Sequence, residues 1–169
     1  IDQKYVISLS DVLSKWEINS GKEILISDYC MDMDLSPDSK YVAFSYINKS
    51  NELECKLLKS KNFSEYRQLQ KVDGIITDLL FSPDDKYLAA RVQNKFNGSY
   101  YPMSLLTWVV DNGKILNKLN DFIGLNDLCF SQDSKSILIL AESGEKNYTT
   151  TDLIFWNFID NKKVVNKID

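Results

Sequence analysis

Aspartates recur at equivalent places along this sequence. Asp32, Asp78 and Asp127 each stand four residues before a serine, and they are 46 and 49 residues apart. If all three side chains pointed into one channel, they would form an arc of carboxylates able to hold a hard cation or a basic peptide. The alternative is that each carboxylate accepts backbone N–H groups from a neighbouring segment, because buried carboxylates need hydrogen-bond partners. We favour this second interpretation, and we predict no metal site.

Other residue types that support catalysis are missing or badly placed. The protein contains no histidine, which removes the usual general base and every Ser/His or Cys/His nucleophile pair. Its three cysteines, Cys30, Cys55 and Cys129, are far apart, and Cys30 and Cys129 are flanked by apolar residues. This spacing favours buried thiols in a reducing, cytoplasmic compartment over a metal site or a disulfide framework. We therefore predict no catalytic residue and no cofactor, and a protein that is not an enzyme.

Charge and hydropathy limit the partners. The net charge is -4 and the lysines form no basic stripe, so we expect no nucleic-acid binding. No apolar run approaches the ~20 residues of a membrane-spanning helix, so we expect no membrane insertion. A secreted, glycosylated protein remains an alternative, since there are four Asn-x-Ser/Thr sequons, although chance explains them more simply in so Asn-rich a chain: Asn48, Asn62, Asn97 and Asn147.

The elements around the aspartates repeat. Residues 32–43, 78–89 and 127–138 superimpose on a pattern of apolar strand, Ser-x-Asp turn and second apolar strand. A second mark is a tryptophan followed by a turn that contains Gly or Asn, at Trp16, Trp108 and Trp156. Proline in two copies of the first turn presets the φ angle of a type I turn, and the following Asp caps the backbone. Helical periodicity is not sustained anywhere, so we predict an all-β structure.

In these turns and tryptophans the chain resembles the WD-repeat β-propeller family, over essentially its whole length. The resemblance implies about three and a half four-stranded antiparallel blades of a larger propeller, with each tryptophan in a blade core. We divide residues 1–169, as a single segment of a longer chain, into units 4–27 (partial), 30–71, 74–119 and 124–168. The residues after the tryptophans depart from the family pattern, and without histidine the family's Asp-His-Ser-Trp network cannot form: Glu17, Val109 and Asn157.

The resemblance implies a non-catalytic scaffold for protein–protein interaction within a larger intracellular complex, because propeller function resides in the loops. The partners would be other proteins or the remaining blades of the parent chain, packed against residues 4–27 and 124–168. The alternative is the propeller domain of a larger hydrolase of the prolyl-oligopeptidase type, with its catalytic residues outside this segment. A Gly-x-Ser-x-Gly motif with a later histidine elsewhere in the protein would favour the hydrolase.

Two polar, tyrosine-containing stretches lengthen the third and fourth units, at residues 94–102 and 143–150. We predict that both are loops between the second and third strands and that they open on the same face. Aromatic side chains on such loops are typical of binding hot spots. The alternative is that Phe96 and Tyr101 fold back onto their own blade. The candidate partner-binding residues are Phe96, Tyr100, Tyr101 and Tyr148.

Overall fold

A computed structural model describes residues 5–10, 12–96, 98, 101–145 and 148–168; the side chains of residues 28, 121, 143–145, 148 and 149 are outside the description. The described residues form β-strands joined by short turns, with no helix among them. The strands are β1 (Tyr5–Leu9), β2 (Val12–Glu17), β3 (Glu23–Asp28), β4 (Cys30–Leu35), β5 (Tyr41–Ile47), β6 (Leu53–Lys59), β7 (Glu65–Gln68), β8 (Ile75–Phe81), β9 (Tyr87–Gln93), β10 (Met103–Val109), β11 (Ile115–Phe122), β12 (Gly124–Phe130), β13 (Ser136–Glu145), β14 (Tyr148–Asn157) and β15 (Lys162–Ile168).

The strands form four separate antiparallel sheets in chain order. The first sheet has three strands, β1-β2-β3, and the second, third and fourth have four each: β4-β5-β6-β7, β8-β9-β10-β11 and β12-β13-β14-β15. Within each sheet every strand pairs with the next one along the chain, and the four sheets do not join into one. The predicted all-β fold of antiparallel propeller blades is confirmed. We call the sheets the first to fourth blades.

The Ser-x-Asp turn between the first two strands of a blade is closed by its own side chains. In the second blade, Ser39 donates its N–H to the Ser36 carbonyl at 2.7 Å. The Asp38 carboxylate accepts the Ser36 hydroxyl and the Lys40 N–H, each at 2.9 Å. The same bonds recur around Asp84 and Asp133 in the next two blades. Local side-chain chemistry therefore dictates this turn, as predicted.

Successive turns are also linked to each other. The fourth residue of each turn has a positive φ, 60° at Ser39, 63° at Asp85 and 59° at Ser134. Glycine adopts this backbone most readily, yet here the side chain has a use. Asp85 accepts the N–H of Asp38 in the preceding blade, and Ser134 accepts the N–H of Asp84, both at 3.0 Å.

Three apolar cores lie between neighbouring blades, one for each successive pair. Trp108 belongs to the core between the second and third blades, and Trp156 to the core between the third and fourth; both are fully buried, as predicted. The prediction for Trp16 is wrong, because its side chain is 36% exposed. Trp16 faces away from the second blade, on a side where no other described blade lies, and its indole N–H donates to Ser8 Oγ at 2.8 Å.

The cysteines, like the tryptophans, differ in burial according to whether another blade packs against them. Cys30 and Cys55 are buried, and burial raises the pKa of the Cys55 thiol, which keeps it protonated and unreactive. Cys129 is exposed on the fourth blade, so the prediction that all three thiols are buried is wrong for this residue. Its strand, β12, begins the fourth blade, and no blade of the described residues packs over it. In the described chain there is also no helix with the length and apolarity needed to span a membrane.

Candidate protein-binding site

The second-to-third-strand loop of the third blade, residues 94–102, has a rigid base. Asn94 holds it closed: its backbone N–H and its side-chain amide both donate to the Pro102 carbonyl, at 2.7 and 2.9 Å. The same amide donates to Ser104 Oγ at 2.7 Å, and that hydroxyl donates to Asn120 Oδ1 at 3.0 Å. These bonds anchor both ends of the loop to the blade at the point where β9 ends and β10 begins.

Two of the four candidate residues form an exposed pair on this loop. Phe96 and Tyr101 are each 55% exposed, and their ring centroids are 5.1 Å apart with the planes inclined at 48°. Each ring thus packs on the other and more than half of each remains open to solvent. A tilted contact of this kind restricts both side chains before any partner binds.

The other two candidates cannot be placed beside this pair. Tyr100 lies outside the described residues, and Tyr148 is described only as the first backbone position of β14. The candidate site that the structure describes is therefore the Phe96–Tyr101 pair and the loop base beneath it.

The second predicted loop is instead a hairpin. β13 runs to Glu145 and β14 starts at Tyr148, with Ser143 opposite Thr150 and Gly144 opposite Thr149. The threonines explain this outcome, because β-branched residues favour extended pairing even in a polar sequence. The prediction of a loop over residues 143–150 is wrong, and β13 and β14 reach 10 residues each.

The recurring aspartates have backbone and arginine partners. Asp32 Oδ2 accepts the N–H of Leu79 in the third blade at 2.6 Å. Asp78 pairs with Arg91 at 2.6 Å, and Arg91 in turn donates to the Leu125 carbonyl in the fourth blade. Asp127, on the fourth blade, accepts the N–H of the adjacent Leu128 at 2.8 Å. The described residues contain no group of three His, Cys, Asp or Glu side chains placed to hold a metal ion. The prediction that each carboxylate accepts backbone N–H groups from a neighbouring segment holds for Asp32, whereas Asp78 pairs with an arginine of its own blade and Asp127 with its own neighbour.

A second carboxylate, which the sequence analysis did not single out, strengthens this contact. Asp34 accepts its neighbour Leu35 N–H on Oδ1 at 2.8 Å and Phe81 N–H of the third blade on Oδ2 at 2.7 Å. Burial raises the pKa of both Asp32 and Asp34, against the lowering effect of these N–H donors. The available signal was the alternation Asp32-x-Asp34, which puts both carboxylates on the same face of one strand.

The outer parts of the second and third blades are held together at a glycine. Gln70 donates its N–H to the Gly113 carbonyl at 2.7 Å, and its own carbonyl accepts the Trp108 indole N–H at 3.0 Å. Gly113 has a φ of 70°, and a Cβ there would lie 2.9 Å from Gln68 O. The Asn-Gly turn predicted from the sequence thus also allows close approach of the preceding blade.

The fold defined by these blades has known counterparts. The structure is similar to hydrazine synthase from Kuenenia stuttgartiensis, with a TM-score of 0.75 and 17% identity. The match covers 99% of this chain and 52% of the hydrazine synthase chain. A eukaryotic initiation factor matches with a TM-score of 0.66 and 14% identity, over 98% of this chain and 42% of the other. The protein spans about half the length of these structures, and at such identities the similarity concerns the fold alone. No family model and no curated protein matches the sequence.

Proposed function

We propose that the protein is a non-catalytic, WD-repeat-like binding module that captures another protein through the Phe96–Tyr101 pair. The observation that supports this proposal is the exposure of two mutually packed aromatic rings on a loop whose base is fixed. Aromatic anchors of low conformational entropy are the side chains that dominate binding energy at protein interfaces. The rest of the loop is polar, as the rim of such an interface is.

Charges around the pair contribute little by themselves. Lys95 and Asp73 form an ion pair at 3.1 Å, but both side chains are highly exposed, and such pairs contribute only about 0–1 kcal/mol. We therefore assign the affinity to the two rings and regard the ion pair as part of the rim. As part of the same proposal, we place the protein in the cytoplasm as a scaffold within a larger complex, supported by three cysteines that are thiols and not disulfides.

Photo-crosslinking tests this proposal. A benzoylphenylalanine at position 96 should form covalent adducts with a partner protein in cells, and the partner is identified by mass spectrometry. Tyr29 provides the control position, because it is another aromatic residue, 70% exposed, that lies outside the loop. Adducts from position 96 and not from position 29 support the proposal, whereas equal adduct patterns from the two positions, or none from position 96, contradict it.

A further inference from the structure

The segment that enters the third blade borders the loop of residues 94–102. Ile75, the first residue of β8, pairs with Gln93, the last residue of β9 before that loop. Neighbouring strands of a sheet lie about 4.8 Å apart, so Ile75 lies one strand spacing from the point where the loop leaves the blade. The segment also reaches the loop itself, because Lys95 Nζ lies 3.1 Å from an Asp73 carboxylate oxygen.

A glycine holds this segment close to the blade. Gly74 has a φ of 137°, and a Cβ there would lie 2.6 Å from Val92 Cγ1 and 2.7 Å from the Gln93 carbonyl oxygen. Glycine allows the chain to pass this close to β9, where a side chain would collide with it. The backbone of Ile75, the next residue, is therefore held in place by the approach of Gly74 and by its own strand pairing.

Ile75 is apolar and 45% exposed, at the same end of the third blade as Phe96 and Tyr101. A single exposed apolar side chain is common on protein surfaces and needs no explanation. Ile75 differs because it borders a loop that carries two further exposed apolar rings. The second and fourth blades flank the third, so this exposure is found with both neighbouring blades in place.

The charges beside these residues neutralise one another. Lys95 pairs with Asp73, and Lys71 pairs with Glu52 of the second blade at 2.8 Å. In residues 71–75 and the described part of the loop, every charged side chain therefore has a partner of opposite sign. Recognition by charge requires an excess of one sign on each surface. This surface instead favours a partner segment without charged side chains.

We propose that Ile75 is a third anchor of the same binding site, and that the segment bound there is apolar and uncharged. The inference rests on the proposed function, because it assumes that Phe96 and Tyr101 bind a partner protein. One apolar side chain of the partner packs on the two rings and a second packs on Ile75, on the β8 side of the loop. Exclusion of water from neighbouring anchors is what gives such contacts their energy.

The test measures the affinity of the purified protein that a benzoylphenylalanine at position 96 captures. Ile75→Thr keeps the branched Cβ that suits a strand and removes apolar surface, so the Kd should rise at least about five-fold. Ile159→Thr is the matched control, because Ile159 is 42% exposed and lies in the turn between β14 and β15, at the opposite end of its blade. The control should keep the original Kd. An unchanged Kd for Ile75→Thr, or equal rises for the two variants, would overturn the inference.

Salt dependence tests the uncharged character of the partner segment. An increase from about 0.1 M to about 1 M NaCl shortens the Debye length from about 10 Å to about 3 Å. The Kd should nevertheless change less than about two-fold, because no ion pairs form across the interface. A larger rise in Kd would show that opposite charges hold the partner and would overturn the inference.

Isopropanol, a small uncharged apolar probe, gives a readout without the partner. On its addition, the amide NMR signals of Ile75, Phe96 and Tyr101 should shift together, and that of Ile159 should stay in place. Equal shifts at Ile159 would overturn the inference.

Failure of this inference is distinguishable from failure of the proposed function. A raised Kd for Phe96→Ala/Tyr101→Ala beside an unchanged Kd for Ile75→Thr contradicts only the third anchor. An unchanged Kd for both variants, or no adduct from position 96, contradicts both.

Discussion

At the scale of single residues, the most informative contact is a carboxylate that accepts hydrogen bonds from two blades. Asp32 accepts the N–H of Leu79 from the next blade and also that of its own neighbour Met33. Asp127 occupies the same place in its repeat, but it is exposed and accepts the N–H of its own neighbour Leu128. Position in the repeat therefore does not fix the role of the side chain. Asp78, at the same place in the third blade, pairs with Arg91 of its own blade instead.

Substitution of Asp32 and of Asp127 by asparagine distinguishes a contact between blades from a local one. An amide offers a single acceptor oxygen, so Asp32→Asn should leave one N–H without its acceptor and lower the free energy of unfolding by about 1–3 kcal/mol. Asp127→Asn should change it by less than about 0.5 kcal/mol. Urea denaturation of both variants checks this expectation. Equal losses would show that the contact between blades contributes nothing.

The same carboxylates should differ in their titration. Desolvation raises the pKa of Asp32 above 3.8, whereas the Ser131 hydroxyl bond holds the pKa of the exposed Asp133 below 3.8. Between 3.8 and its raised folded pKa, Asp32 binds more protons in the folded state, so its contribution to stability falls as pH rises through that window. The contribution of Asp133 is present above 3.8 and is lost as pH falls through its lowered folded pKa. Carboxyl ¹³C NMR should give midpoints on opposite sides of 3.8; the reverse order would contradict these environments.

At the scale of elements, short turns join strands within a blade and also bring neighbouring blades together. Gly21 and Gly113 lie at corresponding turns, each after the strand that carries the repeat's tryptophan, with φ angles of 65° and 70°. Nothing lies within 4 Å of a Cβ added at Gly21, whereas a Cβ at Gly113 would meet Arg67 and Gln68. The two glycines therefore share a backbone requirement and differ in their need for space.

Alanine substitution of each glycine distinguishes the backbone requirement from the need for space. Gly21→Ala should cost about 1 kcal/mol, the strain of a left-handed backbone with a side chain. Gly113→Ala should cost about 2–4 kcal/mol, because the second blade must also move away from the turn. Thermal and urea unfolding of the two variants give the comparison. A Gly113→Ala loss no larger than that of Gly21→Ala would mean that the approach of Gln68 is not structurally important.

The sequence predicts a turn or strand correctly where the residues of that same segment determine its conformation. The Ser-x-Asp turns and the Asn-Gly turn carry their own hydrogen-bonding side chains or backbone freedom, and strand positions follow from them. The hairpin over residues 143–150 was missed because its threonines pair across the strand, which polarity and glycine content do not reveal. The candidate pair Phe96–Tyr101 was predicted from residue type and loop length, but its ring-on-ring contact depends on the fold of the loop.

At the scale of the whole molecule, the four described blades do not close into a ring, and the outer faces of the first and fourth expose apolar side chains. Val6 and Trp16 lie on the outer face of the first blade, and Phe155 and Val164 are exposed on the fourth. Trp108, at the place equivalent to Trp16, is fully buried under the second blade and bonded to Gln70. Whether a repeat residue is buried thus depends on a neighbouring blade, which the sequence of its own repeat does not determine.

Phenylalanine substitutions measure this difference directly. Trp108→Phe should lower stability by about 2–4 kcal/mol, because it leaves a cavity and an unpaired Gln70 carbonyl. Trp16→Phe should cost less than about 1 kcal/mol, since its ring is partly in solvent. Urea denaturation of the two variants tests this. A loss at Trp16 equal to that at Trp108 would contradict the difference in burial between the two rings.

The most direct test of the binding function measures the affinity of a purified crosslinked partner for Phe96→Ala/Tyr101→Ala, with Tyr29→Ala as control. Because both rings are exposed and contact each other, the double variant should lose at least about 2 kcal/mol of binding free energy, a Kd roughly 30-fold higher. Its melting temperature should stay within a few degrees of the unchanged protein, as should that of Tyr29→Ala, which should also keep the original Kd. An unchanged Kd for the double variant, or a Kd raised only along with a collapse in melting temperature, would contradict the account.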